Sequence, residues 1–545
     1  MLYLRSLKSE SFWEKKRQTD KEHESRYYVE YQRKEKERMA VQTMINDGAS
    51  SITDGTGSRK YGAMSELETD TLGASSTCDQ STNDPLSKRP SENLNEKFDM
   101  LRPTTHENKN GPHLLPVFRC RNQLIEKIEA YPVTVVSGTT GCGKSTQIPQ
   151  FILDHHAATD RFVNIIVTQP RRLAAQAVAK RVCNERNWHL GRLVGYKVGL
   201  DKSNASKDTR LLYVTTGILI KMLINRKSMA QWTHIIIDEV HERDKDMDFL
   251  LLLTRKFITS NSQGVKIVLM SATLNADKLL RYYSWPMYLN GPNFQQGTKF
   301  EIPGSTVHDI SVYYLNEILE GRQTTFKGPT EKPILAESCI LECRRIIYEG
   351  FKRLEKNSRQ EVKGAVLIFL PGELEISTVI KTFTKFDPDN QEKLVLLPLH
   401  SRLPFESAQK IFDPVEHSYR KVILSTNMAE SSVTIPDISY VIDFCLSKKM
   451  ICDASTNYAA LQLVWADKNS CDQRKGRAGR VKSGRVYRLV FQDFYDNVIP
   501  DEHEPDMRCA PLDKVILDTK LLDMGSPKEL LALALDPPEL GNIKT

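Results

Sequence analysis

Val133-Thr-Val-Val-Ser-Gly-Thr-Thr-Gly-Cys-Gly-Lys-Ser-Thr146 joins an apolar run of strand type, Val133 to Val136, to a glycine-rich loop and a helix starting near Thr146. The loop from Gly138 to Ser145 fits G-x-x-x-x-G-K-S. Without side chains at Gly138, Gly141 and Gly143, the backbone can fold tightly and aim its N–H groups at anionic oxygens, aided by the positive end of the helix that follows. Thr139, Thr140, Cys142 and Thr146 complete the cradle. Lys144 reaches the β- and γ-phosphates of a nucleotide, and the Ser145 hydroxyl ligates Mg²⁺. Strand, loop and helix in this order place a phosphate site in an α/β domain.

The same grammar extends outward from this loop. Leu114 to Val117 and an amphipathic helix through Gln123, Ile125 and Ile128 lead into the strand at Val133. Short β-branched runs follow at Val163–Thr168, Arg210–Val214, His234–Ile237 and Lys266–Met270, separated by helical stretches. Continuous apolar runs of this kind are buried parallel strands joined by helical crossovers. A second series, Val366–Leu370, Leu394–Leu397, Lys421–Ser425, Tyr440–Ile442 and Gly484–Leu489, repeats the pattern. The reading is two tandem α/β domains with mainly parallel sheets, 114–297 and 298–500, behind a charged helical arm (1–45) and a disordered linker (46–113). Residues 501–545 carry two helical stretches, which either pack onto the second α/β unit or begin a domain of a longer form.

The chain has 545 residues, 76 basic and 69 acidic side chains, and a formal net charge of +7. That balance permits a nucleic-acid partner without demanding one. Ten cysteines show no C-x-x-C spacing and no paired Cys/His pattern, which argues against a zinc site or a disulfide framework and for a reducing compartment. No apolar run approaches the roughly 20 residues of a membrane span, and no signal peptide is legible.

Chemistry concentrates at strand ends. The run His234–Ile237 feeds Asp238-Glu-Val-His-Glu-Arg243. A phosphate-loop enzyme needs one carboxylate for the Mg²⁺ shell and another to orient the attacking water, and Asp238 and Glu239 suit those roles. Ser271-Ala-Thr273 can hydrogen-bond the acidic turn and relay its state to a neighbouring surface. In Gln473-Arg-Lys-Gly-Arg-Ala-Gly-Arg480, Arg474, Arg477 and Arg480 share one face if the segment is helical. Guanidinium forks there would stabilise charge on a transferring γ-phosphoryl group from across an interdomain cleft, the alternative being a basic patch for RNA phosphates. Thr168-Gln-Pro-Arg-Arg172, Thr215-Thr-Gly217 and Ser425-Thr-Asn427 end strands with groups suited to phosphate and ribose, hence to sequence-independent binding of a single strand.

With these motifs in this order, the stretch from about Leu114 to Leu540 resembles the superfamily 2 RNA helicases of DEAH/DExH-box type. The resemblance implies two RecA-like domains that close on ATP and Mg²⁺, with Lys144, Ser145, Asp238 and Glu239 facing Gln473, Arg477 and Arg480. It implies that His241 couples ATP to the second domain and that Arg181 and Phe412 sandwich the base. It further implies that Arg172, Thr215 and Thr426 touch the RNA backbone, and that Lys448–Gln462 forms a hairpin that obstructs a duplex. Asp-Glu-Val-His, Thr139, Cys142, Pro436, Asp443-Phe-Cys445 and Gln473-Arg-Lys475 make the subgroup similar to the Spindle-E type, germline helicases carrying a Tudor domain. That subgroup implies Piwi-interacting RNA production and transposon silencing, Piwi- or Tudor-pathway partners, and cytoplasmic perinuclear granules. The expected activity is Mg²⁺-dependent ATP hydrolysis stimulated by single-stranded RNA in a monomer, with an ATP-dependent RNA clamp as the alternative. Because the winged helix only begins before Thr545, poor translocation is expected.

Overall fold

Seven short strands of the first half pair in one all-parallel sheet: β1 (Val133–Ser137), β2 (Ile165–Gln169), β3 (Val194–Lys197), β4 (Leu211–Thr215), β5 (His234–Ile237), β6 (Lys266–Ser271) and β7 (Thr298–Glu301). Their order is β3-β4-β2-β5-β6-β1-β7. The structure, a computed structural model, describes residues 115–540 apart from 140, 200–203, 273–275, 287–293, 296, 305–308, 321–331, 352–363, 388–392, 404, 417, 431–434, 436, 453–457 and 480–482. The expected arm and linker, with Thr140, Thr273, Pro436 and Arg480, lie outside the described residues.

Period-2 alternation divides the first core in two. Ile235 and Ile237 join Val133, Val135, Leu212 and Leu269 on one face. Ile236 joins Val136, Val167, Tyr213 and Val268 on the other. Helices α1 (Arg121–Ala130), α2 (Lys144–Ala158) and α3 (Arg172–Arg186) cover the second face, and α4 (Thr216–Arg226), α5 (Lys245–Ser260) and α6 (Ala276–Tyr282) cover the first. Both faces are therefore dry, which is why these strands read as unbroken apolar runs. Truncating Ile236, fully buried at the sheet centre, to Ala would cost about 2–5 kcal/mol.

β7 pairs with β1 in the register Val135↔Lys299, so the first domain extends to Glu301 and not to Gly297 as its sequence suggested. Thr298-Lys-Phe-Glu301 buries only Phe300, and a polar strand at a sheet edge has no apolar run to betray it.

The second sheet, also all parallel, holds β8 (Ile310–Tyr313), β9 (Ala365–Phe369), β10 (Leu394–Leu399), β11 (Arg420–Ser425), β12 (Ile438–Asp443) and β15 (Gly484–Arg488), in the order β8-β15-β12-β9-β11-β10. Helices α7 (Glu337–Arg345) and α8 (Glu373–Phe386) cover one face. An antiparallel hairpin, β13 (Leu446–Cys452) and β14 (Ala459–Trp465), leaves the end of β12 with Lys449 opposite Gln462. It contains the expected hairpin and is longer at both ends. Helix α9 (Lys468–Lys475) follows.

The C-terminal helices α10 (Asp506–Cys509), α11 (Asp513–Leu522) and α12 (Pro527–Leu531) correct a second expectation. They bury their apolar faces on the first α/β domain, with Met507, Val515, Leu522, Leu530 and Leu531 in the cluster that holds Leu219 and Leu250, while α10 also meets the hairpin of the second through Lys449 and Asp506 at 3.7 Å. Polar ties fix this docking. Arg243 and Lys278 both bond Asp536, at 2.5 and 2.7 Å, and Lys514 bonds Asp246. Among the described residues, no helix is long and apolar enough to cross a membrane.

Candidate active site

The phosphate loop is shaped by two left-handed glycines, Gly141 at φ +87° and Gly143 at φ +100°. A Cβ on Gly143 would lie 2.9 Å from Val117 Cγ1 and 3.0 Å from Leu115 Cδ1, so only glycine fits there. Gly143 is also the N-cap of α2 and brings no side chain to its first N–H groups, which leaves the helix start open to an anion. Lys144 folds back across the loop and donates to the carbonyls of Gly138 at 2.5 Å and Thr139 at 3.1 Å. A γ-phosphate offers that ammonium a charged replacement for two neutral acceptors. Thr146 Oγ lies 3.5 Å from Gly143 O. Cys142 differs from its neighbours: its thiol is 2% exposed and packs with Val117 and Ile302, so its side chain belongs to the core.

β5 ends beside this loop. Asp238 is fully buried and accepts from Gln169 Nε2 at 2.6 Å, from the Glu239 N–H at 2.9 Å, and from the Ser145 hydroxyl. Burial, and next the Glu239 charge, push its carboxyl up to about 6. Burial likewise raises Glu239. The hydrogen-bond donors to Asp238 are neutral, with Lys144 acting on both carboxylates only through its charge, and Ser145 with Asp238 is a donor set that suits Mg²⁺. Gln169 was legible only as part of a stretch read for nucleic acid. The parallel pairing of β2 with β5 turns it onto Asp238 instead.

Across the cleft, His241 meets Gln473 of α9. The Ala272 N–H, which can only donate, points at His241 Nδ1 at 3.4 Å. The proton therefore sits on Nε2 and is donated to Gln473 Oε1, 3.1 Å away. His241 Nε2 is also 3.5 Å from Glu239 Oε2. Burial keeps the imidazole neutral by lowering its pKa. Ser271 Oγ, 3.4 Å from Nδ1, is the strand-end hydroxyl expected to report on the acidic turn. A second bridge joins the domains where Arg171 Nη1 donates to Asn427 Oδ1 at 3.1 Å, and Leu173 packs on the core of the second sheet.

Arg474 and Arg477 do not share a face. Helix α9 ends at Lys475, and Arg474 turns inward, bonding Asp443 at 2.8 Å, Glu430 at 3.1 Å and the Leu446 carbonyl at 3.3 Å over the Phe369 ring. Arg477 lies one turn further on and 3% exposed. Burial lowers it to about 10, against the attraction of Glu239 and Glu430. Arg477 thus feels the acid pair of the other domain, whereas Arg474 is an internal counter-ion.

The expected strand contacts are more dispersed. Arg172 opens α3 and donates to Gly199 O at 3.2 Å. Thr215 is the half-buried N-cap of α4 and makes no side-chain cap bond. Thr426 lines a cavity of about 750 Å³ that reaches Arg171, His241, Ser271 and Gln473. Arg181 is bound to Glu185 at 2.6 Å on the exposed side of α3, and Phe412 presents an exposed ring on the second domain.

Comparison with known proteins agrees with this geometry. Residues 119–281 match the DEAD/DEAH box helicase model and 349–482 match the helicase conserved C-terminal domain, together more than half of the chain. The ATP-dependent RNA helicase TDRD9 of Mus musculus is 42% identical over 89% of this chain and 34% of its own length. The probable ATP-dependent RNA helicase spindle-E of Anopheles gambiae is 43% identical over 79% of this chain and 30% of its own. The chain thus spans about a third of the length of these curated relatives. The crystal structure of the Escherichia coli DEAH/RHA helicase HrpB superposes with a TM-score of 0.64 at 26% identity, covering 78% of this chain and 49% of that one. Two RecA-like domains, a phosphate loop and an acidic turn bridged to the second domain, together with these matches, establish that the chain belongs to the DEAD/DEAH-box helicases.

Proposed function

We propose that this chain is an RNA-stimulated ATPase of DExH type that uses ATP to open and close its two domains on a single RNA strand. The observation that carries this reading is the His241–Gln473 bond, because it ties the acid pair of one domain to the arginine-bearing turn of the other. Lys144 and the loop N–H groups of Gly138 to Ser145 hold the phosphates. Glu239 orients the attacking water and takes its proton as the water oxygen bonds to γ-phosphorus and the β–γ bridging oxygen leaves with ADP. Gln473, Arg477 and Arg480 approach the γ-phosphoryl group from the second domain. Mg²⁺, held by Ser145 and Asp238, would neutralise charge on the β- and γ-oxygens. Arg181 and Phe412 take the base, and Arg172, Thr215 and Thr426 take the RNA backbone.

Similarity to the Spindle-E type extends this proposal to germline Piwi-interacting RNA production in perinuclear granules, with Tudor- and Piwi-pathway partners. Glu239→Gln tests the chemistry: nucleotide binding is retained while RNA-stimulated turnover falls about 10²–10⁴-fold. Unchanged turnover removes Glu239 from the mechanism. A strand-displacement assay on a 3′-tailed duplex beside the ATPase assay separates a helicase from an RNA clamp, which would hydrolyse ATP without displacing the strand.

A further inference from the structure

At the opposite end of the first sheet's strands from the phosphate loop, three elements bring Glu129, His156 and His234 together. Glu129 lies near the end of α1, His156 near the end of α2, and His234 opens β5. One ligand atom from each lies within 4.8 Å of the others. His156 Nε2 is 3.0 Å and His234 Nε2 3.3 Å from the same Glu129 Oε1, with the two rings nearly perpendicular at 87°. His156 is 6% and His234 1% exposed.

Hydrogen bonding alone leaves this cluster unsatisfied. Thr233 Oγ1 accepts from the Asn164 N–H at 3.0 Å and lies 3.0 Å from Asn164 O and 2.9 Å from His234 Nδ1. His234 Nε2, 3.3 Å from the Glu129 carboxylate, and His156 Nδ1 are buried without a well-formed hydrogen bond. A cation seated between the two imidazole nitrogens and the carboxylate would satisfy all three together.

We propose that Glu129, His156 and His234 bind a divalent transition metal, Zn²⁺ by donor type. Imidazole nitrogen and carboxylate oxygen at Zn distances of about 2.0–2.2 Å set donor atoms roughly 3.3 Å apart in a tetrahedron, close to the two His-to-Glu separations here. Thr233 on His234 is the outer partner that fixes a ligating ring. The neighbouring charges are Arg161, 3.6 Å from Glu129 Oε2, and Lys266, which donates to the Glu129 main-chain carbonyl. Both are cations, so the metal's two positive charges are tolerated only because Arg161 is half exposed and Lys266 is turned onto the backbone. The role of this ion is structural. α2 begins at Lys144 and β5 runs into Asp238, so a metal at His156 and His234 pins the far ends of the two elements that carry the phosphate loop and the acid pair.

The whole chain, stripped with chelator and titrated without nucleotide, is expected to bind one equivalent of Zn²⁺ with a rise in melting temperature. Co²⁺ in its place should give the visible d–d absorption of a tetrahedral nitrogen/oxygen site. The equivalent persists in Asp238→Asn, which removes the nucleotide metal site, and is lost or at least 100-fold weaker in His156→Gln and in Glu129→Gln. Should either variant fail to fold, the Co²⁺ spectrum of the unmutated chain decides. Thiolate charge-transfer bands would place the ion at the buried Asp443–Cys445–Cys471 group and overturn the assignment. So would no stoichiometric metal, or metal indifferent to His156.

Discussion

Asp238 and Asp443 stand at the ends of parallel strands in sister sheets, and both are fully buried, yet their surroundings are opposite. Asp238 accepts only from neutral groups: the Gln169 amide, the Glu239 N–H and the Ser145 hydroxyl. Asp443 accepts from the Arg474 guanidinium and the Cys445 N–H. One carboxylate has no cation among its hydrogen-bond partners, Lys144 acting on it only through charge, and can receive one from outside, while the other has its cation bonded to it. A buried charge at a strand end is thus a binding site or a structural pin according to what its own chain supplies.

The comparison breaks first on turnover. Asp238→Asn is expected to lower RNA-stimulated ATP hydrolysis on the order of 10³-fold, because it withdraws the charge that a metal–nucleotide complex would meet. Its folding stability should hold or rise, since no internal cation is abandoned. Asp443→Asn should do the reverse. Leaving Arg474 short of a partner is expected to cost about 3–5 kcal/mol in urea unfolding, with turnover per folded molecule little changed. If Asp443→Asn lost activity without losing stability, the structural half of the contrast would fail.

The two arginines sharpen it further. Arg477→Met removes a guanidinium that feels Glu239 across the cleft, so turnover drops about 10²-fold or more while the melting midpoint stays put. Arg474→Met strands Asp443 and Glu430, so the protein unfolds at lower denaturant. ATPase rates at a temperature where both variants are folded separate the two effects.

What the sequence disclosed follows from the range of each interaction. The phosphate loop, the acid pair and the strands with two dry faces are written within a few adjacent residues, so Lys144, Asp238 and the run His234–Ile237 were legible. Strands β3, β7 and β8 were not, being short and partly polar. Gln169 lies 69 residues from Asp238 and Arg474 lies 31 from Asp443, and only tertiary structure brings such partners together, through the parallel pairing of β2 with β5 in one case and the packing of α9 on β12 in the other. For the same reason, even spacing could not tell Arg474 from Arg477. The docking of α10 to α12 on the first domain was hidden because an apolar helix face does not name its partner.

A smaller effect tests the rule away from the nucleotide. Asp244 caps α5 by accepting from the Met247 N–H at 2.7 Å, again a neutral donor. Burial, followed by the Glu242, Asp246 and Asp506 charges, pushes its carboxyl up to about 7, against the Met247 bond. A folded-state value above the unfolded one means that the native chain holds the proton more tightly. The favourable contribution is complete below about pH 4 and is lost as pH rises toward 7. Asp244→Asn keeps the cap and cannot ionise. Its stability relative to the unmutated chain should therefore climb by about 1.4 kcal/mol per pH unit across that window and then level off, as measured by urea unfolding at a series of pH values. A flat difference would mean that a cation reaches Asp244 in solution, and Asp244 would then join Asp443 on the paired side of the contrast.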